Sequence, residues 1–188
     1  MTRNGLYEEL IIAGFGGQGI MLSGKLLAQT AMKADKQVTF MPSYGAEVRG
    51  GTANCMVVIS NSPIASPLVS NPNSLIAMNK ASLNKFGSRL KKNGLLILNS
   101  SLIDNIPQLD PSIEILEVPA NDIAVQLGNV KCANMVAIGA YLQKKGLLTH
   151  SQAADSLPQT IAKRYHNTLS LNTQALKQGA DFAKNHNN

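Results

Sequence analysis

The stretch Glu9-Leu-Ile-Ile-Ala-Gly-Phe-Gly-Gly-Gln-Gly19 joins a short apolar run directly to a glycine-rich turn. Such a run is typical of a buried strand, and residues 20–34, after the turn, have apolar positions spaced as on one face of a helix. A second β-rich run follows at residues 38–41. We therefore predict a strand–helix–strand unit over residues 9–41, which favours an α/β domain.

The rest of the chain continues this alternation. We predict strands at residues 54–60, 74–78, 95–99 and 113–118, and helices at residues 81–92, 122–127, 133–145 and, with a break near Pro158, 151–184. Residues 64–69 are predicted to pair back on the strand before them as a hairpin arm, with Pro67 placing that arm at a sheet edge. These patterns together predict a mixed sheet and a helical C-terminal third.

Composition limits the class of protein. The chain has 188 residues, of which 44% are hydrophobic and 15% charged, against about 25% charged residues in an average protein. This is the size of one domain, residues 1–188, and the low charge suggests that a partner covers part of the surface. No apolar run approaches the ~18 residues of a membrane span, and the first residues carry acids where a signal peptide would be apolar. We therefore expect a cytoplasmic protein.

The net charge of +6 raises the question of nucleic-acid binding. The chain has no Trp and no Lys/Arg run interleaved with aromatic residues, so we do not predict it. The densest basic stretch is residues 80–92, where Lys85, Arg89 and Lys92 would share one face of a helix. That face is either solvated or a docking surface for an acidic partner or a phosphorylated ligand.

The glycines Gly14, Gly16 and Gly19 match the dinucleotide-binding fingerprint, and they lie between a strand and a helix as that motif requires. Glycines let the backbone turn tightly, and free N–H groups at a helix N-terminus attract a phosphate. The fingerprint also needs an acidic residue at the tip of the second strand, where this chain has Met41-Pro42-Ser43. A nicotinamide cofactor is therefore disfavoured, whereas a phosphate site and a tight turn without a ligand both remain open.

Other catalytic and metal-binding patterns are incomplete. Residues 19–25 fit the spacing of a phosphate-binding P-loop, but Leu26 stands where Ser or Thr would hold magnesium. Cys55 and Cys132 form no C-x-x-C pair, which argues against a zinc site or iron–sulfur cluster built by this chain alone. The three histidines lie in the polar helical tail. We predict no catalytic residue and no metal ligand.

The most unusual stretch is Pro42-Ser-Tyr-Gly-Ala-Glu-Val-Arg-Gly-Gly-Thr-Ala-Asn-Cys55, an irregular loop that follows a strand. It sets a phenol, a carboxylate and a guanidinium among glycines, and such loops often carry function. On its chemistry alone it is either a functional loop or a glycine-rich turn with one Glu–Arg pair.

This loop and the glycine stretch together resemble the gamma subunit of 2-oxoacid:ferredoxin (or other acceptor) oxidoreductases. Shorter stretches occur in family-like order: Ser62-Pro63, Asn99-Ser100-Ser101, Pro119-Ala120, Asn134-Met135-Val136 and Asn172-x-x-Ala175-x-x-x-Gly179. The resemblance covers nearly the whole chain and implies a three-layer α/β/α fold with a mixed, mostly parallel sheet.

The resemblance also implies a subunit of a larger oxidoreductase that is inactive alone. Alpha, beta and ferredoxin-like partner subunits would carry thiamine diphosphate, magnesium and 4Fe–4S clusters. Together they would convert a 2-oxoacid to an acyl-coenzyme A and pass electrons to ferredoxin or another acceptor. Residues 52–55 look most like the 2-oxoglutarate and branched-chain members of the family, and 2-oxoglutarate is favoured.

Two groups of candidate site residues follow. Gly14, Gly16, Gly17, Gln18 and Gly19 are expected to bind a phosphate of coenzyme A. The residues expected to face the partner or the active site are Ser43, Tyr44, Glu47, Arg49, Gly50 and Gly51. The alternative is a stand-alone nucleotide-binding or regulatory module that uses the same glycine loop.

Overall fold

A computed structural model of the chain describes residues 5–44 and 52–186, with the backbone alone at Tyr44. Its strands are β1 (Tyr7–Phe15), β2 (Gln37–Tyr44), β3 (Thr52–Ser60), β4 (Ser74–Ala77), β5 (Leu95–Asn99) and β6 (Glu114–Val118). Its α-helices are α1 (Ile20–Lys33), α2 (Lys80–Phe86), α3 (Ala120–Gln126), α4 (Ala133–Lys145), α5 (His150–Ala154), α6 (Leu157–Thr160) and α7 (Leu169–Asn185). Short 3₁₀ helices lie at Gly87–Arg89, Val130–Cys132 and Lys163–Thr168.

The six strands form one sheet in the order β2-β3-β1-β4-β5-β6. Strand β3 pairs antiparallel with both β1 and β2, whereas the pairs β1–β4, β4–β5 and β5–β6 are parallel. Five strands thus run in one direction and β3 runs in the other. The predicted mixed, mostly parallel sheet is confirmed.

Helices and loops cover both faces of this sheet. Alternate residues of β1 divide between two cores: Leu10 and Ile12 pack with α1, α3, α4 and α7, whereas Ile11 and Ala13 pack with Leu83 of α2 and with loop residues. The predicted three-layer α/β/α fold and the helical C-terminal third are confirmed. The layer on the α2 side is thin and consists largely of connecting segments.

Three local predictions were wrong. The stretch 42–55, predicted to be an irregular loop, is strand at both ends, because residues 42–44 pair in β2 and residues 52–55 pair in β3. Residues 64–69 form no strand, because β1 and β2 already occupy both edges of β3 and Pro67 disfavours a ladder position. The predicted helix over 81–92 ends as α2 at Phe86 and continues as a 3₁₀ turn to Arg89. The first unit is a strand–helix–strand as predicted, but β3 is inserted between its two strands.

Helices α4 and α7 pack so closely that their backbones are in contact. A Cβ atom on Gly139 of α4 would lie 2.0 Å from the carbonyl oxygen of Leu176, and one on Gly179 of α7 would lie 1.9 Å from that of Val136. Ala175 is fully buried on the same side of α7. The motif Asn172-x-x-Ala175-x-x-x-Gly179 is therefore a helix-packing motif.

Within the described residues, no helix is long and apolar enough to cross a membrane.

Candidate functional site

The glycine loop, defined here as residues 14–19, connects the end of β1 to the start of α1. Gly17 and Gly19 have φ values of 96° and 72°, in the left-handed region that glycine adopts without strain. Gly19 is the N-cap of α1; no side chain of the described residues caps this helix, and its first turn holds no acidic residue. Among the described residues, no side chain neutralises the positive end of this 14-residue helix, an arrangement that favours a nearby anion.

The side chain of Gln18 is bound within the protein. Its Oε1 accepts hydrogen bonds from the backbone N–H of Phe15 at 2.7 Å and from Nδ2 of Asn79 at 3.0 Å, and its Nε2 donates to the carbonyl of Met78 at 3.2 Å. Its own backbone N–H donates to the carbonyl of Phe15. Gln18 thus shapes the loop and ties it to the end of β4.

Two glycines of the fingerprint leave room for amide side chains. A Cβ atom on Gly14 would lie 2.7 Å from Oε1 of Gln18, and one on Gly19 would lie 2.5 Å from Nδ2 of Asn134. Nothing described lies within 4 Å of a Cβ built on Gly17, and Gly16 and Gly17 are exposed. A ligand can therefore approach the crest of the loop at Gly16 and Gly17.

The loop lies at a switch point of the sheet. Strands β1 and β4 are parallel neighbours, but α1 after β1 packs on one face and α2 after β4 packs on the other. In open α/β sheets, ligands bind in the crevice outside the carboxyl ends of two such strands. By this rule the glycine loop and Asn79, the N-cap of α2, are at the end of the sheet where a ligand would bind.

Further amide side chains lie at the carboxyl end of the next parallel strand, β5. Asn99 at the end of β5 donates to Oδ1 of Asn121 at 2.9 Å, and its Oδ1 accepts from the N–H of Ala120 at 3.2 Å. Sequence reasoning missed Asn79 and Asn134 as partners of the loop, although a strand followed by Asn and a helix is a recognisable N-cap signal for Asn79. No local sequence signal indicated that Asn134 would contact Gly19.

The second candidate loop lies between β2 and β3, whose ends at residues 44 and 52 are at the same end of the sheet as the glycine loop. Ala53 of β3 lies opposite Gly14 on one side and Tyr44 of β2 on the other. Ser43 pairs with Asn54 and is exposed. Residues 45–51, including Glu47, Arg49, Gly50 and Gly51, lie outside the described residues, so their predicted role remains a prediction.

The basic segment of residues 80–92 is largely engaged by neighbours. Arg89 donates to the carbonyls of Ser70 at 2.7 Å and Val69 at 2.8 Å. Lys80 pairs with Asp104 at 3.2 Å, and Lys91 pairs with Glu9. Because α2 ends at Phe86, the residues Lys85, Arg89 and Lys92 do not share one helix face. The predicted docking surface on that face is therefore not formed.

The two cysteines are buried, and a ring nitrogen of one histidine lies against a backbone carbonyl. Burial raises the pKa of the Cys55 thiol to about 12 and raises the pKa of Cys132 as well, so both thiols stay protonated at neutral pH. A ring nitrogen of His166 lies 3.0 Å from the carbonyl oxygen of Ile161. Among the described residues, no three His, Cys, Asp or Glu side chains are grouped to hold a metal ion.

This chain matches one family model and is similar to several named oxidoreductase subunits. Residues 9–182 match the family described as pyruvate ferredoxin/flavodoxin oxidoreductase. The ketoisovalerate oxidoreductase subunit VorA of Methanothermobacter marburgensis is 33% identical over 92% of this chain and 36% of its own length. The 2-oxoglutarate synthase subunit KorC of Methanocaldococcus jannaschii is 30% identical over 94% of each chain. The chain thus spans about a third of the length of its VorA relatives and nearly all of this KorC.

Solved structures share the fold. The gamma subunit of a keto/oxoacid ferredoxin oxidoreductase from Geobacter sulfurreducens superposes with a TM-score of 0.81 at 26% identity, covering 95% of this chain and 99% of that one. A 2-oxoglutarate:ferredoxin oxidoreductase from Magnetococcus marinus, solved with 2-oxoglutarate, coenzyme A and succinyl-CoA bound, gives 0.85 at 22% identity over 95% of this chain and 31% of that one. The chain belongs to the pyruvate ferredoxin/flavodoxin oxidoreductase family.

Proposed function

We propose that this chain is the gamma subunit of a 2-oxoacid:ferredoxin oxidoreductase and that its glycine loop binds a phosphate of coenzyme A. The complex would convert a 2-oxoacid, coenzyme A and two oxidised ferredoxins to an acyl-coenzyme A, carbon dioxide, a proton and two reduced ferredoxins. The observation that carries the proposal is the N-terminus of α1, which no described side chain caps, at the switch point between β1 and β4, in a chain that a gamma subunit matches over 95% of its length.

The partner subunits supply the remaining chemistry in this proposal. We assign thiamine diphosphate, magnesium and the 4Fe–4S clusters to the alpha, beta and ferredoxin-like subunits. Ferredoxin or another acceptor would take the electrons. The segment from Ser43 to Gly51 would face these partners, because the strands on either side of it end at the same end of the sheet as the glycine loop. This chain would then hold coenzyme A where the partners present the 2-oxoacid.

We propose 2-oxoglutarate as the substrate, ahead of 2-oxoisovalerate. The KorC relative, named for 2-oxoglutarate synthase, matches this chain over 94% of both lengths, whereas the VorA relative matches over 36% of its own length. The complex assembled from this chain and its partners is expected to have its highest kcat/KM with 2-oxoglutarate. Assays with 2-oxoglutarate, pyruvate and 2-oxoisovalerate side by side test this, and a preference for either other acid would contradict it.

The purified chain alone is expected to be colourless and to turn over none of these acids, because the thiamine and cluster sites are assigned to its partners. Activity should return when the partner subunits are added. Iron–sulfur absorbance of the pure chain, or 2-oxoacid turnover by it, would overturn the assigned division of labour.

The phosphate assignment is tested at the crest of the loop, where Gly16 is exposed. The change Gly16→Asp places a negative charge beside the proposed phosphate, and we expect the KM for coenzyme A to rise about tenfold. The KM for the 2-oxoacid should stay unchanged. The matched control is Gly16→Asn, which has the same size without the charge and should raise the KM for coenzyme A by much less. Gln18 is a poorer test site because its side chain holds three internal hydrogen bonds.

Equal coenzyme A dependence in the parent, Gly16→Asp and Gly16→Asn complexes, with normal assembly, would show that the loop is only a structural turn.

A further inference from the structure

The carbonyl group of Gly19 is held by donors from two helices. It accepts the backbone N–H of Ser23 at 2.9 Å, the hydroxyl of Ser23 at 3.1 Å and Nδ2 of Asn134 at 3.2 Å. Nδ2 of Asn134 also lies 3.1 Å from the Ser23 hydroxyl oxygen. Asn134 comes from the first turn of α4, 115 residues away in sequence from Gly19, so this contact ties the start of α1 to a second helix.

The contact is closely fitted on both sides. The Asn134 residue is 4% exposed, and its amide occupies the space that a side chain on Gly19 would need. A buried amide is placed only where its polar atoms find partners. The Asn134 amide therefore fills the space beside the left-handed Gly19 and donates to its carbonyl oxygen, which also accepts the first backbone hydrogen bond of α1.

Fixing this carbonyl also fixes the N–H group of the next residue. The peptide group between Gly19 and Ile20 is planar and trans, so its N–H points opposite to its C=O. With the Gly19 oxygen held against Ser23 and Asn134, the Ile20 N–H is directed out of the N-terminus of α1. This is the direction from which a helix N-terminus binds an anion.

We propose that Asn134 is a positioning residue for the anion site: it holds the Gly19–Ile20 peptide in the orientation that binds the phosphate of coenzyme A. This inference rests on the proposed function of the glycine loop. Asn134 does not touch the ligand, and it acts through the Gly19 carbonyl. Because Asn134 is an uncharged donor, it orients that carbonyl without placing a negative charge near the phosphate.

The change Asn134→Asp tests this role in the assembled complex. Aspartate has the same shape, but its carboxylate oxygen faces the Gly19 carbonyl oxygen, which turns a donor–acceptor contact into a repulsive one. We expect the KM for coenzyme A to rise about tenfold while the KM for the 2-oxoacid stays within about twofold of the parent. Asn134→Ala, which removes the donor without adding charge, should raise the KM for coenzyme A by about threefold.

Asn129 provides the matched control. Its Oδ1 accepts the backbone N–H of Lys131 at 3.0 Å as the cap of a 3₁₀ turn, and aspartate serves equally well as a cap. Asn129→Asp adds the same charge five positions earlier in the chain without touching Gly19, and it should leave both KM values unchanged. Thermal unfolding of each variant complex verifies that the compared complexes are folded.

The outcomes separate the two proposals. If Gly16→Asp raises the KM for coenzyme A but Asn134→Asp and Asn134→Ala do not, the positioning role is wrong and the phosphate site stands. If Asn134→Asp and Asn129→Asp raise that KM equally, the effect is general charge, and the positioning role is again wrong. If Gly16→Asp has no effect either, the phosphate site itself is wrong. If Asn134→Asp does not fold, Asn134→Ala tests the positioning role instead. A raised KM for coenzyme A with an unchanged KM for the 2-oxoacid supports the role, and two unchanged KM values contradict it.

Discussion

Replacing Gly179 with alanine is expected to lower the free energy of unfolding by about 3 kcal/mol or more. The added Cβ would lie 1.9 Å from the carbonyl oxygen of Val136 and 3.0 Å from the backbone nitrogen of Ala140. These are backbone atoms of α4, which cannot move aside as the end of a side chain can. Helices α4 and α7 would have to separate, and the buried residues between them would lose contact. Urea denaturation of the purified chain measures the change.

The expected loss of stability in Gly179→Ala is opposite in sign to the change that helix propensity alone predicts. Alanine stabilises a helix interior by about 1 kcal/mol relative to glycine, so Gly179→Ala would be stabilising if α7 were free of contacts. Gly139→Ala should lower the free energy of unfolding by a similar amount, because its Cβ would lie 2.0 Å from the carbonyl oxygen of Leu176. The control is Gln178→Ala, at an exposed position of α7, which should change the stability by less than about 0.5 kcal/mol. A Gly179→Ala protein as stable as the parent would contradict the close contact of the two backbones.

Local patterns predicted the parts of the fold that local forces determine. The apolar run of β1, the glycine loop and the start of α1 are each defined by neighbouring residues, because strand periodicity, left-handed glycines and an apolar helix face all act over a few positions. The pairing partners of the strands are not local. Nothing in residues 52–60 shows that β3 lies between β1 and β2, and the wrong hairpin arm at residues 64–69 follows from that.

The same distinction holds at the candidate site. The glycine fingerprint predicted a loop that can receive an anion, but not the two amides that fill the spaces beside Gly14 and Gly19. Gln18 lies within the loop, yet its partner Asn79 is 61 residues away, and Asn134 is farther still. Gly14 and Gly19 are thus explained by the protein's own side chains, which occupy the space beside them, and only the tertiary structure shows this.

A buried carboxylate at the opposite end of the sheet gives the second large prediction. Glu8 is 4% exposed. Its Oε1 accepts the hydroxyls of Ser74 at 2.5 Å and Tyr141 at 3.3 Å, and its Oε2 lies 2.9 Å from Nζ of Lys145. Burial, and then the nearby Glu8 carboxylate, hold the pKa of Tyr141 well above its usual value, so the phenol remains a donor. The cluster joins β1, β4 and α4.

Glu8→Ala is expected to cost about 3 kcal/mol in the free energy of unfolding, because it leaves buried hydroxyls and a partly buried ammonium without their acceptor. An ion pair that is exposed on both sides provides the control. Nζ of Lys80 lies 3.2 Å from Asp104, the two side chains are 50% and 77% exposed, and Asp104→Ala should cost much less than Glu8→Ala. Urea denaturation at neutral pH compares the two, and equal losses would show that burial of Glu8 adds nothing.

Tyr141→Phe in the two backgrounds separates the hydrogen bonds of this cluster from simple loss of side-chain volume. In the parent chain, removing the Tyr141 hydroxyl should cost about 1 kcal/mol, because Glu8 loses a donor. In the Glu8→Ala chain the same change should be neutral or stabilising, since it removes a buried hydroxyl that no longer has an acceptor. Ser74→Ala should show the same reversal of sign, because the Ser74 hydroxyl is also buried and donates to the same carboxylate oxygen. If both changes cost the same with and without Glu8, the carboxylate is not the acceptor that holds these hydroxyls, and the loss in Glu8→Ala comes from the broken Lys145 ion pair and the cavity left by the shorter side chain.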